Sequence, residues 1–220
     1  MRLLPVLKSG LWITALCLCA QGQTAPSKEA PVNESKGMPP RVTPAEYQTH
    51  AQAGTVTIAA EFTGHNVGTP QGTLTTEDYV VVETAFFGPE GARAKLAIDD
   101  FSLRINGKKT LPGQPYGMVL SSLKDPEWEP PVKPEKKSSM STDGGGQGKG
   151  SEAPTPPKMT FAERRAMEQK VQKATLPEGD RALPVAGLIF FQYGGKTKGM
   201  KSLELFYEGP AGKATLTLQP

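Results

Sequence analysis

The side chains able to do chemistry are few, and their spacing excludes most reactions. The chain has two histidines, His50 and His65. Neither stands at ligand spacing from another His, a Cys or a carboxylate, so no zinc centre is expected and both are read as solvated loop residues. Asp99-Asp100 could lie near a hard cation, but a calcium loop alternates oxygen donors, and here Ile98 and Phe101 flank the pair; a polar turn is the expectation. The stretch 144–150 (GGGQGKG) invites comparison with a phosphate loop. Asp143 stands where the first Gly belongs and Gly150 where Ser or Thr belongs, and no strand before it or helix after it would aim backbone N–H groups at phosphates, so it reads as a linker. No Gly-x-Ser-x-Gly elbow occurs, and neither histidine has the context of a base serving a serine. The expectation is a chain that is not an enzyme and uses no cofactor and no metal.

What remains is binding. Trp128, Tyr116 and Tyr193 carry rings that could stack on sugars while polar neighbours hydrogen-bond hydroxyls. Tyr193 ends an apolar run and is expected to pack at its rim. Trp128, between Glu127 and Glu129-Pro130, is either a loop anchor or a recognition tip. Arg164 and Arg165 stand among Glu163, Glu168, Lys170 and Lys173 on the charged face of a helix expected over 160–174, a face that is either solvated surface or a docking element. Trp128, Tyr116, Arg164 and Arg165 are the candidate partner-binding residues.

The elements that must position these residues are mostly strands. Val56, Ile58, Ala60 and Phe62 alternate with smaller or polar residues, one apolar row of a half-buried strand. Gly64 to Gly72 reads as a turn region. Tyr79–Phe87 (YVVVETAFF) is nearly continuous β-branched and aromatic sequence, as expected of a central strand covered on both faces. Leu96 and Ile98, then Phe101, Leu103 and Ile105, lead to Asn106-Gly107, a dipeptide suited to the positive φ angles of a tight hairpin. Met118 to Leu123 is a weaker strand candidate. The runs 188–193, 203–207 and 214–218 complete seven or more short strands. One helix is expected: Thr160 with Glu163 forms a capping box, and Leu176-Pro177-Glu178-Gly179 stops it. Its apolar stripe (Met159, Ala162, Ala166, Met167, Val171, Ala174) is thin, so it should lie on a surface.

The ends and the composition supply an address. Arg2 and Lys8 precede the uncharged run 11–19 (LWITALCLC) and the small-x-small triplet Ala20-Gln21-Gly22, the build of a secretory signal peptide. The run is too short to span a ~30 Å hydrocarbon core, and no later segment is long enough, so no membrane span is expected. Both cysteines, Cys17 and Cys19, lie inside this signal, and cleavage near Gly22 leaves a chain without thiols. Leu16 and Leu18 precede them where a lipid-anchored protein needs a small residue. Losing Arg2 and Lys8 lowers the net charge of +3 to about +1, and the remaining Lys and Arg form no dense block, so nucleic acid is not an expected partner.

The organisation expected is a signal over 1–22, a Pro/Ser/Lys/Glu-rich flexible tether over 23–48, a first β-rich part over 49–123, an insertion over 124–182 holding a disordered Pro/Gly/Lys-rich arm and the helix 160–174, and a second β-rich part over 183–220. Tyr79 to Phe87, Phe101 to Gly107 and Gly187 to Phe191 give a valine-rich strand, a Phe before a strand ending in a Gly turn, and a late Gly before an aromatic strand. In these the chain resembles the immunoglobulin-like domain family of secreted bacterial antigens and lipoproteins. The resemblance implies an all-β, immunoglobulin-like antiparallel β-sandwich and carries no catalytic residues. The functional expectation is a periplasmic or secreted, non-enzymatic interaction or accessory module of the cell envelope, its partner a protein or envelope component; the alternative is a carbohydrate-binding module that takes polysaccharide on exposed aromatics.

Overall fold

The computed structural model describes residues 36–125 and 159–220. The expected signal, the start of the tether, Trp128 and the glycine stretch 144–150 lie outside the described residues. The strands are β1 (Thr49–Ala53), β2 (Val56–Gly64), β3 (Asn66–Thr69), β4 (Gly72–Thr76), β5 (Tyr79–Phe87), β6 (Arg93–Leu96), β7 (Phe101–Ile105), β8 (Leu111–Gln114), β9 (Leu123–Lys124), β10 (Gly179–Ala182), β11 (Val185–Gln192), β12 (Leu203–Gly209) and β13 (Gly212–Leu218), with α1 (Tyr116–Val119) and α2 (Phe161–Ala174). The protein is thus mostly β, around one large antiparallel sheet ordered β1-β2-β5-β11-β8-β7-β12-β13.

Short β8 is the hinge of that sheet. It pairs β11 only at Phe190↔Gln114 and Phe191↔Gly113, and β7 only at Ser102↔Pro112 and Leu103↔Leu111. The halves β1-β2-β5-β11 and β7-β12-β13 fold over each other about this hinge, and the outermost strands come alongside: Gln48 Nε2 donates to the Gln219 carbonyl at 3.0 Å. The enclosed core takes Val56, Ile58, Ala60 and Phe62 from β2, Val80, Val82 and Phe86 from β5, Ile189 and Phe191 from β11, and Leu203, Leu205 and Tyr207 from β12. Residues on both sides of the undescribed segment therefore share one interior. Phe86, Phe101 and Tyr207 meet edge-on or tilted with centroids 5.1–5.9 Å apart, and a fully buried Phe contributes roughly 2–3 kcal/mol by leaving water.

Strand β5 is covered on both faces, as its sequence predicts. Even-numbered residues point into the core, whereas Tyr79 and Val81 face a second cluster with Val67, Leu74, Leu188, Phe190, Met167 and Val171. A three-stranded sheet, β3-β4-β9, and α2 roof this outer cluster. Farther along the same outer face, Tyr47 covers Ala59, Ala85 and Ala186. The described end of the tether span, 36–48, runs along here: the Met38 N–H donates to the Ala186 carbonyl at 2.8 Å.

Three local expectations need correction. Gly64 to Gly72 is more than a turn, since β3 and β4 pair from Asn66↔Thr75 to Thr69↔Gly72. Met118 to Leu123 is not a strand: α1 runs into a 3-10 turn, and only Leu123–Lys124 is extended. The Ser122 hydroxyl donates to the Val119 carbonyl at 3.0 Å and receives Thr76 at 2.7 Å, a backbone contact that holds a turn closed. Third, β10 pairs β6 from Gly179↔Leu96 to Ala182↔Arg93, where the sequence showed only a helix stop. Asn106 and Gly107 adopt φ of 54° and 66°, the positive angles their types favour, and Lys108 N–H closes the turn on the Ile105 carbonyl at 3.1 Å.

Candidate interaction surface

Helix α2 starts where its sequence dictates. The Glu163 N–H donates to Thr160 Oγ1 at 3.3 Å, and the Thr160 N–H donates to the Glu163 carboxylate at 2.6 Å, completing the capping box. Only its second half lies on the sheet: Met167, Val171 and Ala174, at helical spacing, are buried. Residues 161–166 are all exposed, so Ala162 and Ala166 do not join the buried stripe. The first half overhangs the sheet, and Phe161 at its start is 77% exposed.

Beneath this overhang lies a cavity of about 300 Å³ lined by Leu120, Leu123, Met159 and Met167, with Ser121, Lys124, Asp125 and Arg164. The floor is apolar and the rim carries both signs of charge. Phe161, Arg164 and Arg165 lie at i, i+3 and i+4, neighbouring positions on the helix surface. Arg164 thus reaches the groove, whereas Arg165 is exposed but does not line it. Tyr116 opens α1, just before the Leu120 to Asp125 wall, and is half-buried against the outer cluster. Tyr193 is half-buried against the main core, the rim packing expected of it. Both tyrosines thus divide their rings between packing and solvent.

Comparison with protein-family models, with curated proteins and with solved structures finds no match to this chain.

The histidines and the Asp99-Asp100 pair lie away from this groove. His50 is exposed on β1, not in a loop. His65 is half-buried, not solvated: Nδ1 lies 2.7 Å from the Tyr79 carbonyl and Nε2 2.9 Å from the Gly195 carbonyl. It therefore bridges segments far apart in sequence. Asp99 and Asp100 lie in a 3-10 turn, but Asp100 Oδ2 is buried without a hydrogen-bond partner. Burial, then the Asp99 charge, raises the Asp100 carboxyl above its ordinary value. Among the described residues no group of three or more His, Cys, Asp or Glu could hold a metal ion.

One polar cluster has little signature in the sequence. Glu61 and Glu83 face each other in register on β2 and β5, where like charges repel. Arg41 binds both, its Nη2 lying 3.2 Å from Glu83 Oε2, and its guanidinium stacks 4.4 Å from the Tyr47 ring centroid. Burial pulls the Arg41 basicity down, and the Glu61 and Glu83 carboxylates together more than reverse it. Burial also raises the Tyr47 hydroxyl. The signals in the sequence were Glu61 and Glu83, each the one charge inside an apolar strand.

Proposed function

We propose that this chain is an exported, non-enzymatic interaction or accessory module of the cell envelope, an immunoglobulin-like sandwich that engages a partner at the groove beside α2. The observation that carries the reading is the overhang: an apolar floor with Arg164 and Lys124 on its rim, and Phe161 held out in water about one helical turn before Arg164. A lone exposed Leu or Val is ordinary, but an exposed Phe adjoining an apolar cleft with charged edges has the composition of an interface centre and its rim. Export is supported by Arg2 and Lys8 ahead of the apolar run 11–19 and by the confinement of both cysteines to that region.

The test is co-purification from envelope extract of the producing cells, comparing the parent chain with Phe161→Ser, Arg164→Glu and the distant control Lys213→Ala. A partner retained by the parent and the control but lost with the first two supports the reading. Identical captures by all four chains, or none by the parent, sink it.

A further inference from the structure

At one end of the sheet two loops far apart in sequence are stitched together by a single side chain. Asn106 donates its backbone N–H to the Ser202 carbonyl at 2.8 Å and its Nδ2 to the Gly199 carbonyl at 2.8 Å. Its Oδ1 accepts the N–H groups of Lys201 at 2.6 Å and Ser202 at 3.2 Å. Met200, buried in the main core, anchors the second loop from below. The loops so joined, 106–110 and 194–202, display Lys108, Lys109, Lys196, Lys198 and Lys201, all exposed, and contain no Asp or Glu. None of these lysines enters an ion pair among the described residues. Of the nearby carboxylates, Glu77 is bound to Lys124 and Glu204 to Arg104, while Asp78, whose carboxylate lies beside Gly194, offsets only part of the charge of these lysines.

We infer that this lysine-rich end is a docking surface for the anionic headgroups of a lipid bilayer. Like charges gathered on a rigid base, with no acid among them, repel one another and cost stability unless a counter-surface is present. Lysine ammoniums are compact, hydrated point charges without the fork that reads a phosphate or carboxylate in a fixed geometry, so the surface answers to charge density more than to shape. These lysines line neither the groove beside α2 nor the open cavity bounded by Glu61 to Asn66, Thr197 and Pro220, and no large hydrophobic residue is exposed on either loop. With no aromatic platform for bases to stack on, single-stranded nucleic acid is the poorer match. A flat anionic sheet, touched without insertion, satisfies all of these features. The inference stands on the two loops alone and does not depend on the groove beside α2.

The experiment is co-sedimentation of the full chain with vesicles of phosphatidylcholine containing roughly one-third phosphatidylglycerol, and with pure phosphatidylcholine. Binding to the first and not the second is expected, and it should vanish as salt rises well above about 0.15 M. Each lysine near the surface contributes about fivefold in partitioning, so Lys108→Gln with Lys109→Gln should weaken binding roughly 25-fold, as should Lys196→Gln with Lys198→Gln. Lys108→Arg with Lys109→Arg should bind like the parent, and circular dichroism of each variant reports its folding. Equal sedimentation of the glutamine and arginine pairs overturns the inference. So does charge-independent binding to pure phosphatidylcholine, which the apolar run 11–19 would cause, and so does capture by heparin or single-stranded DNA with none by the vesicles.

Discussion

Replacing Arg41 by Ala should destabilise the domain by about 2–3 kcal/mol, although Arg41 lies outside every strand. The Arg41 side chain is 31% exposed and Glu83 only 12%, so Glu83 would keep its charge in a poorly hydrated place with its cation gone. A hydrogen bond to a charged group of that kind contributes about 1.5–3 kcal/mol. The Glu61 pair, 35% exposed on the carboxylate side, adds little, and the stack on Tyr47 about 0.5–1 kcal/mol. For a domain of this size 1 kcal/mol moves the melting temperature by about 2–4 °C, giving a fall of about 5–10 °C by calorimetry at neutral pH. Adding Glu83→Gln should recover about 1–2 kcal/mol in the Arg41→Ala background while costing stability in the parent, because the stranded charge disappears with its repulsion of Glu61. Hydrogen exchange gives a local reading: the Met38 amide, bonded to Ala186, should lose protection when Arg41 no longer pins the 36–48 span. A variant melting within about a degree of the parent, or additive behaviour of the two substitutions, would show that solvent satisfies these carboxylates without Arg41 and refute the reasoning.

Asp100 offers a test with a definite pH dependence. Its carboxyl is raised in the folded state by burial and then by Asp99, so the native form holds a proton more tightly than the unfolded chain does, and its contribution is greatest below the ordinary aspartate value and is lost as pH rises through the raised one. Asp100→Asn should therefore raise the melting temperature at pH 7 and flatten the decline between acid and neutral pH; equal melting curves at every pH would refute this. Thr160→Ala removes one arm of the α2 capping box, which costs about 1 kcal/mol. Amides of the first helical turn should then exchange about fivefold faster while β5 keeps its protection, and unchanged rates in 161–165 would show the overhang to be held by something else.

The strands that sequence reading located are those whose side chains alternate between core and exterior over many residues. Val56 to Phe62 and Tyr79 to Phe87 announce themselves because each buries several large side chains on a fixed period. The strands that escaped lack that payload. β3 and β4 bury essentially Val67 and Leu74 among Thr and Gly. β8 reads Leu-Pro-Gly-Gln, yet Gly113 is needed there because a Cβ would sit 2.6 Å from the Ile98 carbonyl. A glycine demanded by a close approach looks, in sequence, like a glycine in a turn. At Met118 to Leu123 the apolar residues Met118, Val119 and Leu120 are consecutive and carry no period, and so short a run does not separate a strand from a helix. Of the candidate surface, Arg164 was legible from its helix, but the groove needs the Leu120 to Asp125 wall, and the lysine-rich end needs Asn106 to bring two loops together. Such juxtapositions depend on long-range closure, which local pattern does not encode.

The register Val82↔Ile189 sets the order in which the protein can be assembled during synthesis. In the native sheet only β11 pairs the side of β5 that β2 leaves open, so a nascent chain carries an unsatisfied, valine-rich edge until β11 has been made. Wherever the chain folds, that edge stays open to pairing with other copies until β11 closes it.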